Sequence, residues 1–308
     1  MNKGESMKIK NIAVLTSGGD APGMNSAIFG IFSACQDNGI NLYGVYNGFD
    51  GLIDNKFRLI TFDMLDGRTN RGGSILKSAR SKRFKKQSYF KKAINNLNLN
   101  KIDALIVIGG DGSTRACIEL RDNGVKVISL PGTIDNDLNF TYTIGFDTAT
   151  NNIVNAVDNI MDSLATFGYG TVIKLMGRDC PDLVESCAKA LHTKYTITKK
   201  DFDIAPLIKS IKKNHDDCHL PPVVLVLEDC VDCNELSKIL EEKCKFPFRA
   251  HILGYVQRGG SPSAFDRKYG FSAGEYAVDA LINGKHGFAV GMVDNSITSK
   301  SFEDIIKF

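Results

Sequence analysis

Apolar and polar positions along the chain follow two rhythms. Short β-branched apolar runs each lead into a glycine-rich turn and then into a stretch with helical spacing. Ile12–Leu15 leads into Thr16–Gly23 and a helix from Met24 to near Asp37; Ala104–Ile108 leads into Gly109–Thr114 and a helix to near Asp122; Val125–Leu130 leads into Pro131–Asp137. Further strands are expected at Thr171–Leu175, Val223–Leu227, Ala250–Leu253 and Phe288–Val293. Helices are expected near Thr148–Ser163, Pro181–Leu191, Asp203–Lys213, Asn234–Lys243 and Tyr269–Ile282. Strands alternating with helices imply βαβ units, parallel sheets and right-handed crossovers. The fold class read from this pattern is α/β: two Rossmann-like three-layer domains with mainly parallel sheets. No repeat, low-complexity segment or Pro/Ser-rich linker interrupts the chain. Most glycine-rich turns precede residue 145, which suggests one domain from residues 1–145 plus 258–308 and another from 146–257. Ligands of such sheets bind at the carboxyl ends of the strands, and the active site is expected in the cleft between the domains.

Composition narrows the class. The chain has 308 residues, of which 43% are hydrophobic and 24% charged, enough to bury a sizeable core and inconsistent with disorder. Basic and acidic residues number 38 and 35, so the net charge of +3 supplies no electrostatic case for nucleic acid or a membrane as main partner. The basic stretch Lys77–Lys92 reads as a solvated helix face or loop. No run approaches the length of a membrane span, and Met1–Lys10 lacks the apolar core of a secretory signal. A cytoplasmic location is expected, and the eight cysteines are expected to be reduced.

The glycine-rich turns carry the candidate chemistry. A turn entering a helix N-terminus offers backbone N–H groups and a partial positive charge to a phosphate, and glycine lets the backbone approach the anion. Thr16–Gly23 does not read G-x-G-x-x-G, which argues against a nicotinamide-dependent dehydrogenase. Gly18–Gly23 has P-loop spacing, but Met24 and Asn25 occupy the places of the Lys and Ser/Thr. Some other cation must then serve the terminal phosphates. Asp111, between glycines at a strand end, suits Mg²⁺ shared with a nucleotide. Asp135 and Asp137, at another strand end, suit a base that takes a proton from an attacking hydroxyl. Gln257-Arg-Gly-Gly-Ser-Pro262 looks like an anion clamp. Cys230-Val-Asp-Cys233 with His215, Cys218 and His219 offers zinc-ligand types, but a strand-to-helix turn is the plainer reading. His192, His251 and His286 show no paired nucleophile.

Six motifs together resemble the bacterial ATP-dependent 6-phosphofructokinases: Thr16-Ser-Gly-Gly-Asp-Ala-Pro-Gly-Met-Asn25, Asn70-Arg-Gly-Gly73 with Ser78-Ala-Arg80, Ile108-Gly-Gly-Asp-Gly-Ser113, Pro131-Gly-Thr-Ile-Asp-Asn-Asp137, Met176-Gly-Arg178 and Gln257–Pro262. They fall in family order over roughly residues 8–300, and the chain stops short of the family's last helical tail. The resemblance implies transfer of the ATP γ-phosphoryl group to the 1-hydroxyl of fructose 6-phosphate, the first domain holding ATP and Mg²⁺ and the second the sugar phosphate. Gly19, Arg80, Ser81 and Gly110 to Ser113 match ATP-binding positions, including Asp111 as the Mg²⁺ ligand and Gly112. Asp135 matches the base, with Thr133 and Asp137 beside the reacting hydroxyl. Arg80 matches the cation that steadies the moving phosphoryl group, and Arg178 is a further catalytic candidate. Met176, Gly177, Arg178, Glu228, Arg249, Tyr255 and Arg258 match sugar-phosphate positions, as do Thr133 and Asp135. Gly at 112 and 132, where pyrophosphate-using relatives carry Asp and Lys, favours ATP.

The chain also departs from the family. Tyr169 replaces an Arg and Tyr255 a His of the 6-phosphate pocket; each lost charge-assisted hydrogen bond costs about 1.5–3 kcal/mol. Phe29, Ser33 and Met161 replace arginines of the effector site and Lys194 an acidic partner, so ADP and phosphoenolpyruvate are not expected to act there. Two alternatives stay open: a kinase for another phosphorylated sugar, or a weakly active paralogue acting as a binding or regulatory subunit. The resemblance implies a homo-oligomer, a tetramer with Arg249 donated across subunits, with a dimer as the alternative.

Overall fold

Aliphatic residues bury every position of the Ala104–Gly109 run, which is what a parallel strand covered on both faces demands. The computed structural model describes residues 9–215 and 221–306. Two compact units emerge: the described residues up to Thr148 together with those from Arg258 onward, and Ala149–Gln257. In chain order the first unit forms β1 (Asn11–Thr16), α1 (Met24–Asp37), β2 (Asn41–Val45), α2 (Gly48–Ile53), β3 (Phe57–Leu59), α3 (Phe62–Leu65), α4 (Gln87–Leu99), β4 (Ala104–Gly109), α5 (Asp111–Asp122) and β5 (Val127–Pro131). Helix α6 (Phe146–Phe167) starts in the first unit and continues into the second. There follow β6 (Gly170–Leu175), α7 (Asp182–Ala190), β7 (Tyr195–Ile197), α8 (Ile204–His215), β8 (Val223–Leu227), α9 (Cys233–Cys244) and β9 (Phe248–Ile252). The first unit is completed by α10 (Ala264–Ile282), β10 (Phe288–Val293), β11 (Ser296–Ser301) and α11 (Phe302–Ile305).

The first unit's sheet has the order β11-β10-β5-β4-β1-β2-β3. Its inner strands are parallel, and the edge strands β3 and β11 run antiparallel to their neighbours. Leaving β1, the chain goes to β2 on one side and later to β4 on the other. The carboxyl ends of β1 and β4 therefore flank a topological switch point, with Thr16 in register with Ile108. One face carries the core of Ala13, Leu15, Leu105 and Val107 against Phe49, Phe90, Leu97, Leu120 and Phe302. Helices α1 and α10 serve the other face. The second unit's four-stranded sheet, β7-β8-β6-β9, is wholly parallel, with Val172, Val224 and Val226 packed on Leu236, Leu240 and Phe248. Among the described residues no helix is long and apolar enough to cross a membrane.

The mixed α/β reading with mainly parallel sheets holds. Several elements carry no clear apolar rhythm and are not read from the sequence: β3, the polar edge strand β11 (Ser-Ile-Thr-Ser-Lys-Ser), and α4, whose first turns lie in the basic stretch. Helix α10 begins at Ala264, five residues before the expected Tyr269. Ser263 caps it by accepting from the Asp266 amide at 3.2 Å.

Helices α1 and α10 meet backbone to backbone. A Cβ on Gly274 would lie 2.5 Å from the Ala27 carbonyl oxygen, one on Gly270 2.8 Å from the Gly23 carbonyl oxygen, and one on Gly30 would strike the Phe271 carbonyl. Gly to Ala in an exposed helix gains up to about 1 kcal/mol. Here the sign reverses: Gly274→Ala is expected to lose about 1–3 kcal/mol through overpacking, read as a lower urea midpoint without a change in m-value.

Candidate active site

Five of the six motifs meet in the first unit, the last of them from Arg258 onward. The turn after β1 is pinned to the segment before Arg80: Ser78 Oγ donates to the Gly18 carbonyl at 2.9 Å, and the Gly18 amide donates to the Ala79 carbonyl at 3.3 Å. Thr16 Oγ1 donates to the Lys77 carbonyl at 3.0 Å, and Asn25 bridges the Arg71 carbonyl (3.0 Å) and the Ile75 amide (2.9 Å). Arg80, itself exposed, thus leaves a segment fixed on the first turn. The turn after β4 docks beside it, with the Ser17 amide donating to the Ile108 carbonyl at 2.9 Å. A Cβ on Gly109 would strike Ser113 Oγ and lie 2.7 Å from the Ser17 carbonyl, so only glycine allows this approach. From the Gln257–Pro262 motif, Arg258 reaches back to Asp20 at 3.2 Å, and a Cβ on Gly19 would meet its Nη1 at 2.8 Å. Gly72 abuts the Gly260 carbonyl, and Ser261 Oγ donates to the Asn70 carbonyl at 3.0 Å.

Asp111 opens α5, where the helix dipole favours negative charge. Its Oδ2 accepts from Arg115 Nε at 2.8 Å, while its buried Oδ1 has no hydrogen-bond partner among the described residues. One free carboxylate oxygen at a helix N-terminus fits Mg²⁺ that takes its other ligands from phosphates and water. The Gly132 amide donates to the Gly109 carbonyl at 3.0 Å, and an added Cβ on Gly110 would lie 3.3 Å from Thr133, so the turns after β4 and β5 touch. The loop from Gly132 to Ile144 closes on itself. The Ile144 amide donates to the Pro131 carbonyl at 2.7 Å and the Thr133 amide to the Ile144 carbonyl at 3.1 Å. Within it the Asp135 amide donates to Thr133 Oγ1 at 3.2 Å, and Asn136 adopts φ 52°. Asn136 Oδ1 accepts from the Thr143 amide at 3.2 Å, a local bond that suits Asn to the left-handed region. Asp135 is buried and Asp137 half-buried.

The second unit gathers Met176, Gly177, Arg178 and Glu228. Three successive amides after β6 are taken by side chains. Gln257 Oε1 accepts from Met176 N–H at 2.9 Å, and Glu228 Oε1 accepts from Gly177 and Arg178 at 3.2 and 2.8 Å. This holds Gly177 at φ 136° and Arg178 at φ 52°. Gln257, buried, also donates to the Gly254 carbonyl at 3.0 Å. It lies inside a quoted motif but was not among the expected site residues; the signal available was a Gln next to the clamp Arg. Arg249 does not join this group: its guanidinium lies 4.7 Å over the Tyr169 ring and 3.6 Å from Glu241. Tyr255 is 75% exposed.

Other expectations resolve more simply. The Ser81 hydroxyl donates to Asp50 at 2.7 Å and accepts from the Phe84 amide at 3.1 Å, so the side chain is engaged within the protein. Cys218 and His219 lie outside the described residues, as does the His215 side chain. Among the described residues no cluster of three His, Cys, Asp or Glu gathers for a metal. Burial pushes the Cys35 and Cys187 thiols up to about 12 and raises Cys230 and Cys233, which keeps them protonated and poorly nucleophilic. Phe29 sits 6.4 Å from Phe62 and 5.9 Å from Phe271, an aromatic cluster with no donor for a phosphate.

A family model described as Phosphofructokinase matches residues 11–281. The chain is 40% identical over 301 residues to the ATP-dependent 6-phosphofructokinase of Mannheimia succiniciproducens, covering 97% of this chain and 94% of that protein. It is likewise 40% identical over 299 residues to that of Macrococcus caseolyticus, covering 96% and 94%. Among solved structures, Pichia pastoris phosphofructokinase in the T-state aligns with a TM-score of 0.90 at 28% identity, over 98% of this chain but only 36% of the longer chain. A pyrophosphate-dependent phosphofructokinase from Marinobacter aquaeolei, 18% identical over 96% of this chain and 84% of its own, shares the fold with a TM-score of 0.84. With its glycine-rich turns joined as described and a match of this extent, the chain belongs to the phosphofructokinase family.

Proposed function

We propose that this protein is an ATP-dependent 6-phosphofructokinase, transferring the γ-phosphoryl group of ATP to the 1-hydroxyl of fructose 6-phosphate in glycolysis. The observation that carries the reading is the docking of the Asp135 loop on the phosphate-type turn at Gly110–Ser113, through Gly132 to Gly109 and Thr133 to Gly110. A candidate base and a candidate anion site thereby share one rigid frame. Support also comes from the 40% identity to enzymes of that name.

The first unit serves ATP and Mg²⁺, and the second serves the sugar phosphate. The turns at Gly19 and Gly110–Ser113 cradle phosphates with backbone N–H groups, and Ser81 joins them through its backbone. Asp111, through its free Oδ1, would hold Mg²⁺, which would supply positive charge to the phosphates. Asp135 takes the proton of the sugar 1-hydroxyl as its oxygen bonds to the γ-phosphorus and the bond to the ADP oxygen breaks. Thr133 and Asp137 flank that hydroxyl, and Arg80 and Arg178 stabilise the charge on the moving group. Positioning and electrostatics supply most of the catalysis in such transfers. Met176, Gly177, Glu228 and Arg258 orient the sugar phosphate, with Arg249 and Tyr255 at its 6-phosphate. A side chain at Gly112 would meet nothing within 4 Å, whereas at Gly132 it would lie 2.8 Å from Ile108 and 3.1 Å from Met24. Glycine at both 112 and 132, with no Asp or Lys side chain there, supports a nucleotide donor over pyrophosphate. The reading includes a cytoplasmic location and a homo-oligomer, a tetramer or a dimer. A second reading, a kinase for another phosphorylated sugar, is favoured by the stacking of Arg249 on Tyr169.

Four measurements test this. A coupled ADP-release assay over a panel of sugar phosphates should show fructose 6-phosphate as the best acceptor. Asp135→Ser should lower kcat by roughly 10²–10⁴-fold with nucleotide affinity unchanged, and full activity in that variant would refute the assignment. Gln257→Leu, which strips the acceptor from the Met176 amide, should raise the KM for the sugar phosphate about tenfold or more and leave the KM for ATP alone. Steady-state velocities should not respond cooperatively to phosphoenolpyruvate or ADP, because the ring cluster around Phe29 offers no charge to a phosphate.

A further inference from the structure

Asp266 is wholly buried, ionisable and outside the machinery assigned above. Its side chain meets only donors. Oδ1 accepts from the Gly145 amide at 2.8 Å, and Oδ2 accepts from the Thr148 amide at 2.8 Å and from Thr148 Oγ1. Three donors on two oxygens call for the ionised form, since a protonated carboxyl must turn one oxygen into a donor. Thr148 Oγ1 also accepts from the Ser263 amide at 2.9 Å, which ties the start of α6 to the start of α10.

The position of this knot gives it consequence. Gly145 directly follows Ile144, the residue that closes the Gly132–Ile144 loop. At φ 108° its missing Cβ faces Ala21 at 2.7 Å and Pro22 at 3.1 Å, both in the first glycine-rich turn. Across the same contact, a Cβ on Gly23 would meet Ile144 at 2.6 Å and the Asp266 carbonyl at 3.1 Å. The loop bearing Thr133, Asp135 and Asp137, the turn bearing Gly19, and the start of α6 therefore all meet at Asp266.

We propose that Asp266 is a positioning residue for the reaction: its carboxylate holds the base of the Asp135 loop in register with the first glycine-rich turn. The inference rests on the reading of those segments as the reacting site. Desolvation raises the Asp266 carboxyl to about 6 against the opposing pull of its hydrogen bonds. The titratable and charged groups around it are few. Asp147 on α6 and Tyr269 on α10 add to or feel its charge. Arg267 is turned to the Pro262 carbonyl (2.8 Å) and Ser261 Oγ (2.7 Å), and Lys268 is exposed. The first glycine-rich turn presents backbone and apolar atoms at this contact. A carboxyl with a raised folded-state pKa is better protonated in the folded than in the unfolded chain. Its contribution to stability therefore falls as pH rises from about 4 to about 6. The loop, in contrast, is fully tethered only above that range.

The experiment compares wild type with Asp266→Asn in the full chain, by steady-state kinetics across pH and by hydrogen exchange of residues 132–148 corrected for intrinsic rates. The two backbone donors face different oxygens, so the amide's NH2 would point at one of them. Asp266→Asn should therefore lower kcat about tenfold or more with both KM values nearly unchanged, should lose the acid limb of kcat near pH 6, and should exchange faster across 132–148. Unchanged kcat, pH profile and protection would overturn the proposal. Should Asp266→Asn not fold, Thr148→Val and the wild type alone decide. Protection of 132–148 that weakens in Thr148→Val and in wild type taken below about pH 6 supports the role; protection flat in both overturns it. Hydrogen exchange needs no substrate, so an absence of phosphofructokinase activity would sink the functional reading and leave this test standing.

Discussion

Close packing against bare glycine backbone at the carboxyl ends of β1, β4 and β5 is the constraint on which the first unit's geometry depends. Gly109 lies against the Ser17 carbonyl, and Gly110, Gly145 and Gly23 against the side chains of Thr133, Ala21 and Ile144. Turns packed this closely leave no room for a Cβ at these glycines, and their amides and carbonyls pair directly, Ser17 with Ile108 and Gly132 with Gly109. The result is a surface of fixed dipoles rather than of flexible side chains. Such a surface reorganises little when charge moves across it, which is what transfer of a phosphoryl group requires. The glycines of α1 and α10 extend the same logic to the helices behind the turns.

Much of this was legible in the sequence. Apolar runs marked the central parallel strands because both faces of those strands are buried. The Thr16–Asn25, Ile108–Ser113 and Pro131–Asp137 motifs sit at strand ends where the turns meet. Features that depend on tertiary partners were not legible. Nothing local distinguishes β11, whose polar residues pair with β10 only because an edge strand needs no second apolar face. Asp266 reads in sequence as the third residue after a Ser cap. Its larger role appears only when Gly145 and Thr148, more than a hundred positions away, donate to it. Gln257 is similar: an ordinary polar residue until the Met176 amide points at it.

The second unit solves a different problem with different means. Its loop after β6 places Arg178 in the left-handed region, a conformation that costs of order 1 kcal/mol or more and persists only where neighbours enforce it. Glu228 and Gln257 enforce it by accepting three consecutive amides. Here side chains, not backbone packing, set the geometry.

That contrast predicts where the family can vary. A site read by backbone amides is all but closed to substitution, because a Cβ at Gly109 or Gly145 strikes an adjoining turn. A site read by side chains can be altered one residue at a time at a cost of a few kcal/mol. Contacts of that second kind are those of Tyr169, whose ring supports the Arg249 guanidinium, and of Phe29, which joins a ring cluster. The stacked guanidinium keeps its charge, held over the Tyr169 ring and 3.6 Å from Glu241. Substitution is thus costly where glycine backbone is packed and cheaper where side chains set the contact.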